Sequence, residues 1–340
     1  PPPPPPPPFS RRSRTTRSAS SSRGLGDLYK RQIGWVLPER LQGKVAGLLG
    51  SRSALWRRVG IAACAVHRVD CGRHLDAALE DPDAPLRARA LRAVGEVARH
   101  DLLPAIQRQL GAEDPACAFW AAWSAVLLGN RAAGLAALKA IAFGESPWAQ
   151  RALELLMRIV EPAQTRGWLT GLAQDPTRQR DLIAACGATG DPLYLPWLIG
   201  QMAAKAELAR PAGESFTLIS GADLALQDLE GDRPQGFSGG PTEDPADEDV
   251  ALDPDEDLPW PDPERVRAWW EAHERDFQAG TRYLLGQPIS APHCRQVLRG
   301  GMQRQRAAAA LELALMDPRS PLFETRAPGF RQRRTLESGR

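Results

Sequence analysis

The sequence has no long hydrophobic run, few cysteines and none of the short motifs that mark common catalytic sites. The lack of about eighteen consecutive apolar residues argues against a membrane span. Five scattered cysteines in 340 residues are typical of a reducing cytosol, and we expect the closest two, Cys64 and Cys71, to be core or half-exposed residues. A Gly-rich phosphate loop, a Cys-x-x-Cys pair and a His-Glu-x-x-His motif are missing. We therefore predict a cytoplasmic protein that is not an enzyme and binds no cofactor.

Histidine and cysteine come together at two places that could suggest chemistry. His67 and His74 flank Cys71, an arrangement that a nucleophilic Cys-His pair or a set of metal ligands would require. The three residues straddle a predicted turn, where we expect solvated histidines. His293 and Cys294 are adjacent, so their side chains diverge on a helix and cannot form a dyad. We assign no catalytic or metal residue.

The sequence does contain a repeat of about thirty residues that runs from 53 to 204. In its clearest unit, 80–110, an Asp-Pro start precedes an apolar helix stripe, a break at 99–101 and a second apolar stripe. Asp can accept hydrogen bonds from the first helical turn, and Pro costs nothing at the first position. Further starts are Asp114-Pro115, Ser146-Pro147 and Asp175-Pro176.

Apolar residues of the second helix recur in register, one repeat apart: Ile106, Leu138, Leu169 and Leu198. A single helix pair cannot bury its own stripe, so neighbouring pairs must stack into a continuous core. Further units are visible at 56–79 and 208–224. The sequence predicts an all-α, HEAT-like α-solenoid of about six helix pairs, covering 33–229.

Residues 1–32 differ in composition from the rest of the chain. They hold seven of the 43 basic residues and one of the 41 acidic ones, which leaves the remainder acidic. Residues 27–32 resemble the translation of a transposon-end sequencing adapter, so we interpret this low-complexity tail as disordered or as an assembly artefact. A basic arm that contacts nucleic acid or a membrane, and a transit peptide, are the alternatives.

An acidic, Pro- and Gly-rich linker follows the repeats at 230–259, and we expect much of it to be mobile. Residues 253–264 place carboxylates at the first, third, fifth and twelfth positions of a calcium loop. Leu258 stands where that loop needs glycine, and Pro259 and Pro261 stiffen the remainder. We therefore predict a solvated linker and no metal.

Residues 260–340 are predicted to form a C-terminal helical module that caps the open end of the solenoid, since an uncovered last repeat would expose its apolar face. Residues 281–340 carry eleven basic and four acidic residues. The acidic linker is expected to lie against this module, or a partner competes for one of the two surfaces. Candidates for docking the module or binding a partner are Trp260, Trp269, Trp270, Arg304, Arg306, Arg331, Arg333 and Arg334.

Other functions of helical repeats fit less well. Di-iron hydroxylases need several His-Glu pairs, and His273-Glu274 is the single one present. The repeats resemble the HEAT-like units of phycobilin lyases, but only in their pattern. Nucleic-acid binding needs a basic stripe that the repeats lack. The tryptophans Trp120, Trp123, Trp148, Trp168 and Trp197 are expected in the core or along a groove.

Three segments, at 208–224, 255–270 and 299–333, resemble in their order an uncharacterised bacterial HEAT-repeat family often encoded near type VI secretion components. They read LARPAGESFTLISGADL, DEDLPWPDPERVRAWW and RGGMQRQRAAAALELALMDPRSPLFETRAPGFRQR. The resemblance implies no reaction. It implies a cytoplasmic, protein-binding adaptor or chaperone-like accessory, with secretion components or effectors as partners.

Overall fold

The computed structural model describes residues 33–41, 43–237, 239–240 and 252–338. The tail at 1–32 and the linker residues 241–251 lie outside the described residues, so the expectations about them are not tested. Within the described part, almost all regular structure is helical, and the fold is an all-α, HEAT-like solenoid. None of the described helices is long and apolar enough to cross a membrane.

The short helices α1 (Pro38–Leu41) and α2 (Lys44–Leu49) lie before the repeats. The first helices of the six units are α3 (Ala54–Val66), α5 (Ala84–Glu96), α7 (Pro115–Leu127), α9 (Ala149–Ile159), α11 (Gln179–Thr189) and α13 (Ala206–Ser220). The second helices are α4 (Arg73–Leu79), α6 (Leu103–Arg108), α8 (Arg131–Ala142), α10 (Pro162–Leu172), α12 (Leu195–Ala204) and α14 (Pro263–His273).

Of the four predicted helix starts, Asp114 is the N-cap of its α-helix, whereas the other three lie two or three residues before the N-cap. Asp114 accepts a hydrogen bond from the amide of Cys117 at 2.8 Å, as the Asp-Pro start predicts. In the unit that begins near residue 80, Asp83 is the N-cap and accepts from Leu86 at 2.8 Å. The Asp-Pro pattern predicted Asp81 as the N-cap, but its carboxylate instead forms an ion pair with Arg57 at 2.6 Å.

The first and second helices pack differently. Most consecutive first helices lie directly against each other, whereas the second helices from α4 to α12 barely touch one another. Gly95 explains one close approach, because a Cβ there would lie 2.6 Å from the Ser124 hydroxyl. The in-register residues Ile106, Leu138, Leu169 and Leu198 are all buried, as the repeat predicts.

Helix α14 completes the sixth unit, although it follows α13 by more than forty residues. It packs against α12, and its Val266 and Trp270 join the main hydrophobic core. The intervening chain folds back, because the backbone amide of Gly231 donates to the Trp260 carbonyl and the backbone amide of Asp262 donates to the Leu229 carbonyl, both at 2.8 Å. One helix of the predicted capping module therefore covers the end of the solenoid.

The chain after α14 takes a different course. It forms a hairpin of β1 (Tyr283–Leu284) and β2 (Gln287–Pro288), then α15 (Ala291–Gly300), α16 (Gln303–Met316) and α17 (Gly329–Glu337). Most alanines of α16 are buried, namely Ala308, Ala309, Ala310 and Ala314. We call residues 282–337 the C-terminal strap, because they run back along the solenoid from its last units to its first.

Candidate functional site: a braced edge and an open face

The strap lies along the edge where each first helix ends. Its hairpin forms backbone hydrogen bonds with the last two units. The amide of Tyr283 donates to the Gly190 carbonyl at 2.7 Å, and the amide of Leu285 donates to the Leu218 carbonyl at 2.8 Å. Further along, Arg131 donates to the carbonyl of Leu315 at 2.8 Å. After the hairpin, the strap contacts the fourth, third, second and first units in that order, so one continuous segment bridges the whole edge.

A buried ion-pair cluster fastens the strap at its middle. Glu312 of α16 is 2% exposed. Its carboxylate forms ion pairs with the guanidinium groups of Arg158 of α9, at 3.0 Å, and of Arg282 of the strap, at 2.6 Å. Arg282 also donates to the Thr189 carbonyl at 2.9 Å. One carboxylate thus joins two arginines from separate elements, so its loss would leave both without their charged partner.

A second buried carboxylate lies under the strap at the end of α5. The carboxylate of Glu96 forms ion pairs with Arg89 and Arg92, each at 2.8 Å. The backbone carbonyl of the same residue accepts a hydrogen bond from the amide of Leu322 in the strap at 3.1 Å. Burial raises the pKa of Glu96, but the charges of Arg89 and Arg92 outweigh it and lower that pKa to about 2. The ionised group therefore helps to organise the strap-binding surface.

The turn after α3 holds the far end of the strap. Arg68 donates to the Leu322 carbonyl and forms an ion pair with Glu324 at 3.2 Å. Arg331 donates to Nδ1 of His67 and to the Val66 carbonyl at 3.1 Å. Burial lowers the pKa of His67, which favours the neutral imidazole that accepts from Arg331. His67 is thus a structural contact, and the expectation of a solvated histidine there is wrong.

The second-helix face carries exposed aromatic surface instead. A groove of about 390 Å³ lies between α8 and α10 and is lined by Phe143, Trp168 and Lys139. Phe143 is 39% exposed and meets the Trp168 ring edge-on at 6.1 Å, and the Lys139 ammonium lies 4.7 Å from that ring. Gly167 and Gly171 leave the groove open, because a Cβ at either position would meet nothing within 4 Å.

A sequence pattern on which none of the predictions was based marks this face. Trp168 immediately precedes the buried Leu169 and stands three residues before Gly171, and Trp197 has the same relation to Leu198 and Gly200. Both tryptophans are half-buried, and the space beside Gly200 is also open. The Trp-Leu-x-Gly pattern, repeated in consecutive second helices, would have singled out these residues.

The three predicted tryptophans lie at the end of the solenoid. Trp270 is buried in the core and packs on Phe277. Trp269 is half-buried, stacks on His273 at 4.2 Å and meets Phe216 of α13 edge-on. Trp260 stacks under the Arg210 guanidinium at 4.3 Å. All three contact other parts of the chain, and Trp260 also lines a cleft of about 270 Å³.

The predicted arginines divide into two groups. Three of them have partners within the chain. Arg331 binds His67 and the Val66 carbonyl, and Arg306 donates to the Leu298 carbonyl at 2.8 Å and to the Gln332 side chain. Arg304 forms an ion pair with Asp257 at 2.7 Å. Arg333 and Arg334 are exposed on α17. The structure therefore does not gather the five arginines into one patch.

The described end of the acidic linker is anchored mainly to the solenoid. Asp253 pairs with Arg210 at 2.5 Å, and Asp255 pairs with Arg180 at 2.7 Å. Asp257, held by Arg304, is the one of these carboxylates that contacts the strap. The first, third and fifth positions of the calcium pattern are thus bound by arginines. No cluster of three His, Cys, Asp or Glu side chains that could hold a metal occurs among the described residues.

A family model described as HEAT repeats matches residues 73–158, which run from α4 to near the end of α9. No curated protein and no solved structure matches the chain. HEAT repeats commonly serve as protein-interaction scaffolds and are generally not enzymes. The chain therefore contains HEAT repeats within an all-α, HEAT-like solenoid.

Proposed function

We propose that the protein is a non-enzymatic scaffold that binds a protein partner through its second-helix face. The observation that carries this proposal is the groove at Phe143 and Trp168, where large aromatic surface stays exposed beside open glycines. Aromatic side chains in such grooves are the residue types that dominate protein interfaces. The opposite candidate, the edge of the first helices, is occupied by the strap.

The narrower proposal is an adaptor or chaperone-like accessory to bacterial type VI secretion. It rests on the resemblance of the three segments at 208–224, 255–270 and 299–333. These segments meet in space, since Arg210 of the first contacts Trp260 of the second, and Arg304 of the third contacts Asp257. A shared junction of this kind supports treating the three segments as one structural feature of that family.

The test is a pull-down of tagged residues 33–340 from cells that carry a type VI system, read by mass spectrometry. We expect a secretion component or effector at near-equal stoichiometry, and we expect the double variant Phe143→Ser, Trp168→Ala to lose it. Leu226→Ser is the matched control, because Leu226 is exposed but lies away from the groove in the loop after α13.

Each other outcome removes one part of the proposal. Equal capture by the groove variant and the control would move the binding surface elsewhere. A stoichiometric partner unrelated to secretion would keep the scaffold and remove the adaptor role. Recovery of nucleic acid alone would favour the hypothesis of nucleic-acid binding over both the scaffold and the adaptor role.

A further inference from the structure

The turn between α3 and α4 brings two cysteines together. Cys64 lies in the last turn of α3, and Cys71 stands two residues before α4. The chain folds back over this distance, because the amide of Val69 donates to the Cys64 carbonyl at 2.9 Å. The Cys71 thiol hydrogen-bonds to the sulfur of Cys64. Both thiols are free, and the other cysteines lie in α7, α11 and α15.

The two thiols differ in their pKa, so that one of them, Cys64, is the more readily ionised and reacts first with an oxidant. The hydrogen bond from Cys71 lowers the pKa of Cys64 and raises the pKa of Cys71 itself. Burial, in contrast, raises the pKa of Cys117 and of Cys294 to about 11. Cys64 is buried at 8% exposure, and Cys71 is half-exposed, so a water-sized oxidant reaches the pair from the side of Cys71.

The same turn holds the end of the strap. His67 and Arg68, which lie between the two cysteines, bind Arg331, Glu324 and the Leu322 carbonyl. Arg68 has a φ of 55°, a left-handed conformation that the turn imposes on it. A covalent bond between the ends of this turn would fix the conformation that presents both side chains to the strap.

We propose that Cys64 and Cys71 form a reversible disulfide with hydrogen peroxide, which fixes the first turn and tightens the docking of the strap. The Cys64 thiolate attacks one peroxide oxygen and the O–O bond breaks, giving a sulfenic acid and, with one proton, water. The Cys71 sulfur then attacks the Cys64 sulfur, and the S–O bond breaks to release a second water. Peroxide takes up the two electrons, and a small-molecule thiol reverses the reaction by exchange.

The bond can be tested directly by peptide mapping of the full chain. After brief peroxide treatment, alkylation and trypsin without reductant, we expect peptide 59–68 (VGIAACAVHR) linked to peptide 69–73 (VDCGR). Cys71→Ser should instead leave a Cys64 sulfenic acid that dimedone traps. Cys117→Ala is the matched control and should retain the link. Alkylation of both thiols after treatment, or oxidation of Cys64 without a link, would overturn the proposal.

The effect on the strap has its own readout. Hydrogen exchange followed by mass spectrometry should show slower exchange in peptides that contain the Leu322 amide when the disulfide is present, and reductant should reverse it. The Cys71→Ser variant treated in the same way should show no slowing. Unchanged exchange in a protein that carries the disulfide would remove the coupling to the strap.

Discussion

The two long surfaces of the solenoid are built on opposite principles. Along the edge where the first helices end, buried carboxylates meet arginines, and the strap supplies main-chain partners to five different units. On the second-helix face, neighbouring helices stand apart and aromatic rings border an open groove. The same repeat therefore produces a closed surface on one side and an accessible one on the other.

The difference shows how a repeat protein can be rigid and still bind. In a simple solenoid each unit contacts only its neighbours, so the superhelix can flex at every interface. The strap links distant units to one segment of the chain, through contacts such as Arg131 with Leu315 and Arg68 with Glu324. Stability is concentrated at the edge, and the groove is left free to contribute to recognition.

The sharpest way to break the braced edge is Glu312→Ala. This change leaves Arg158 and Arg282 without their buried anion, so we expect a loss of about 3–5 kcal/mol in the free energy of unfolding. Urea denaturation of both proteins measures it. Glu337→Ala, an exposed site on the same strap, is the control and should change little. Equal effects of the two variants would mean that the buried cluster does not brace the edge.

The second test uses acid. The pKa of Glu96 is lowered to about 2 in the folded protein from a usual 4.5. Its contribution is therefore present above pH 4.5 and is lost as the pH falls towards 2, and it amounts to about 3 kcal/mol. Glu96→Gln should be less stable at pH 7, with a flatter loss of stability between pH 4.5 and 2.

The control for the acid test is Glu80→Gln, because the carboxylate of Glu80 is well exposed. It should keep the steep acid limb of the original protein. An equally steep limb in Glu96→Gln would show that other groups set the acid sensitivity.

The third test compares glycines of the two surfaces. Gly190 has a φ of 71°, and a Cβ there would lie 2.6 Å from the Tyr283 carbonyl oxygen of the strap. Gly190→Ala should cost about 2 kcal/mol or more. Gly200→Ala, in an open helical position on the second-helix face, should stabilise the protein by about 0.5–1 kcal/mol. Thermal melts with shifts of the same sign would contradict the comparison.

The smallest effect is expected at an exposed contact of the strap. The side chains of Arg304 and Asp257 are 43% and 72% exposed, so their ion pair is screened by water. Arg304→Gln should lower the free energy of unfolding by about 0–1 kcal/mol, and salt should abolish the difference. A loss as large as that of Glu312→Ala would mean that burial does not rank the contacts of the edge.

Features set by local sequence could be predicted. The period of Ile106, Leu138, Leu169 and Leu198 gave the stacking of the units, because buried residues on a helix must recur with its register. The Asp-Pro starts gave the helix boundaries to within a few residues. The Trp-Leu-x-Gly pattern was also readable, since it lies within single helices.

The path of the strap could not be predicted, because it depends on pairing between residues far apart in sequence. Nothing near Glu312 indicates that its partners are Arg158 and Arg282. The excess of basic residues at 281–340 suggested an acidic partner, whereas Arg306 and Arg331 are used mainly on neutral acceptors. In the same way, the long insertion before α14 concealed that this helix completes the sixth unit.

The reversed course of the strap has a consequence for how the chain reaches its final state. On the ribosome the units emerge in order, and each can associate with the one before it. The turn at His67 is made early, yet its partner Arg331 is synthesised some 260 residues later. The edge of every unit must therefore wait for the last helices, and unfolding of the finished protein should be concerted rather than unit by unit. Closing the chain on itself replaces the independence of a linear array with the cooperativity of a single body.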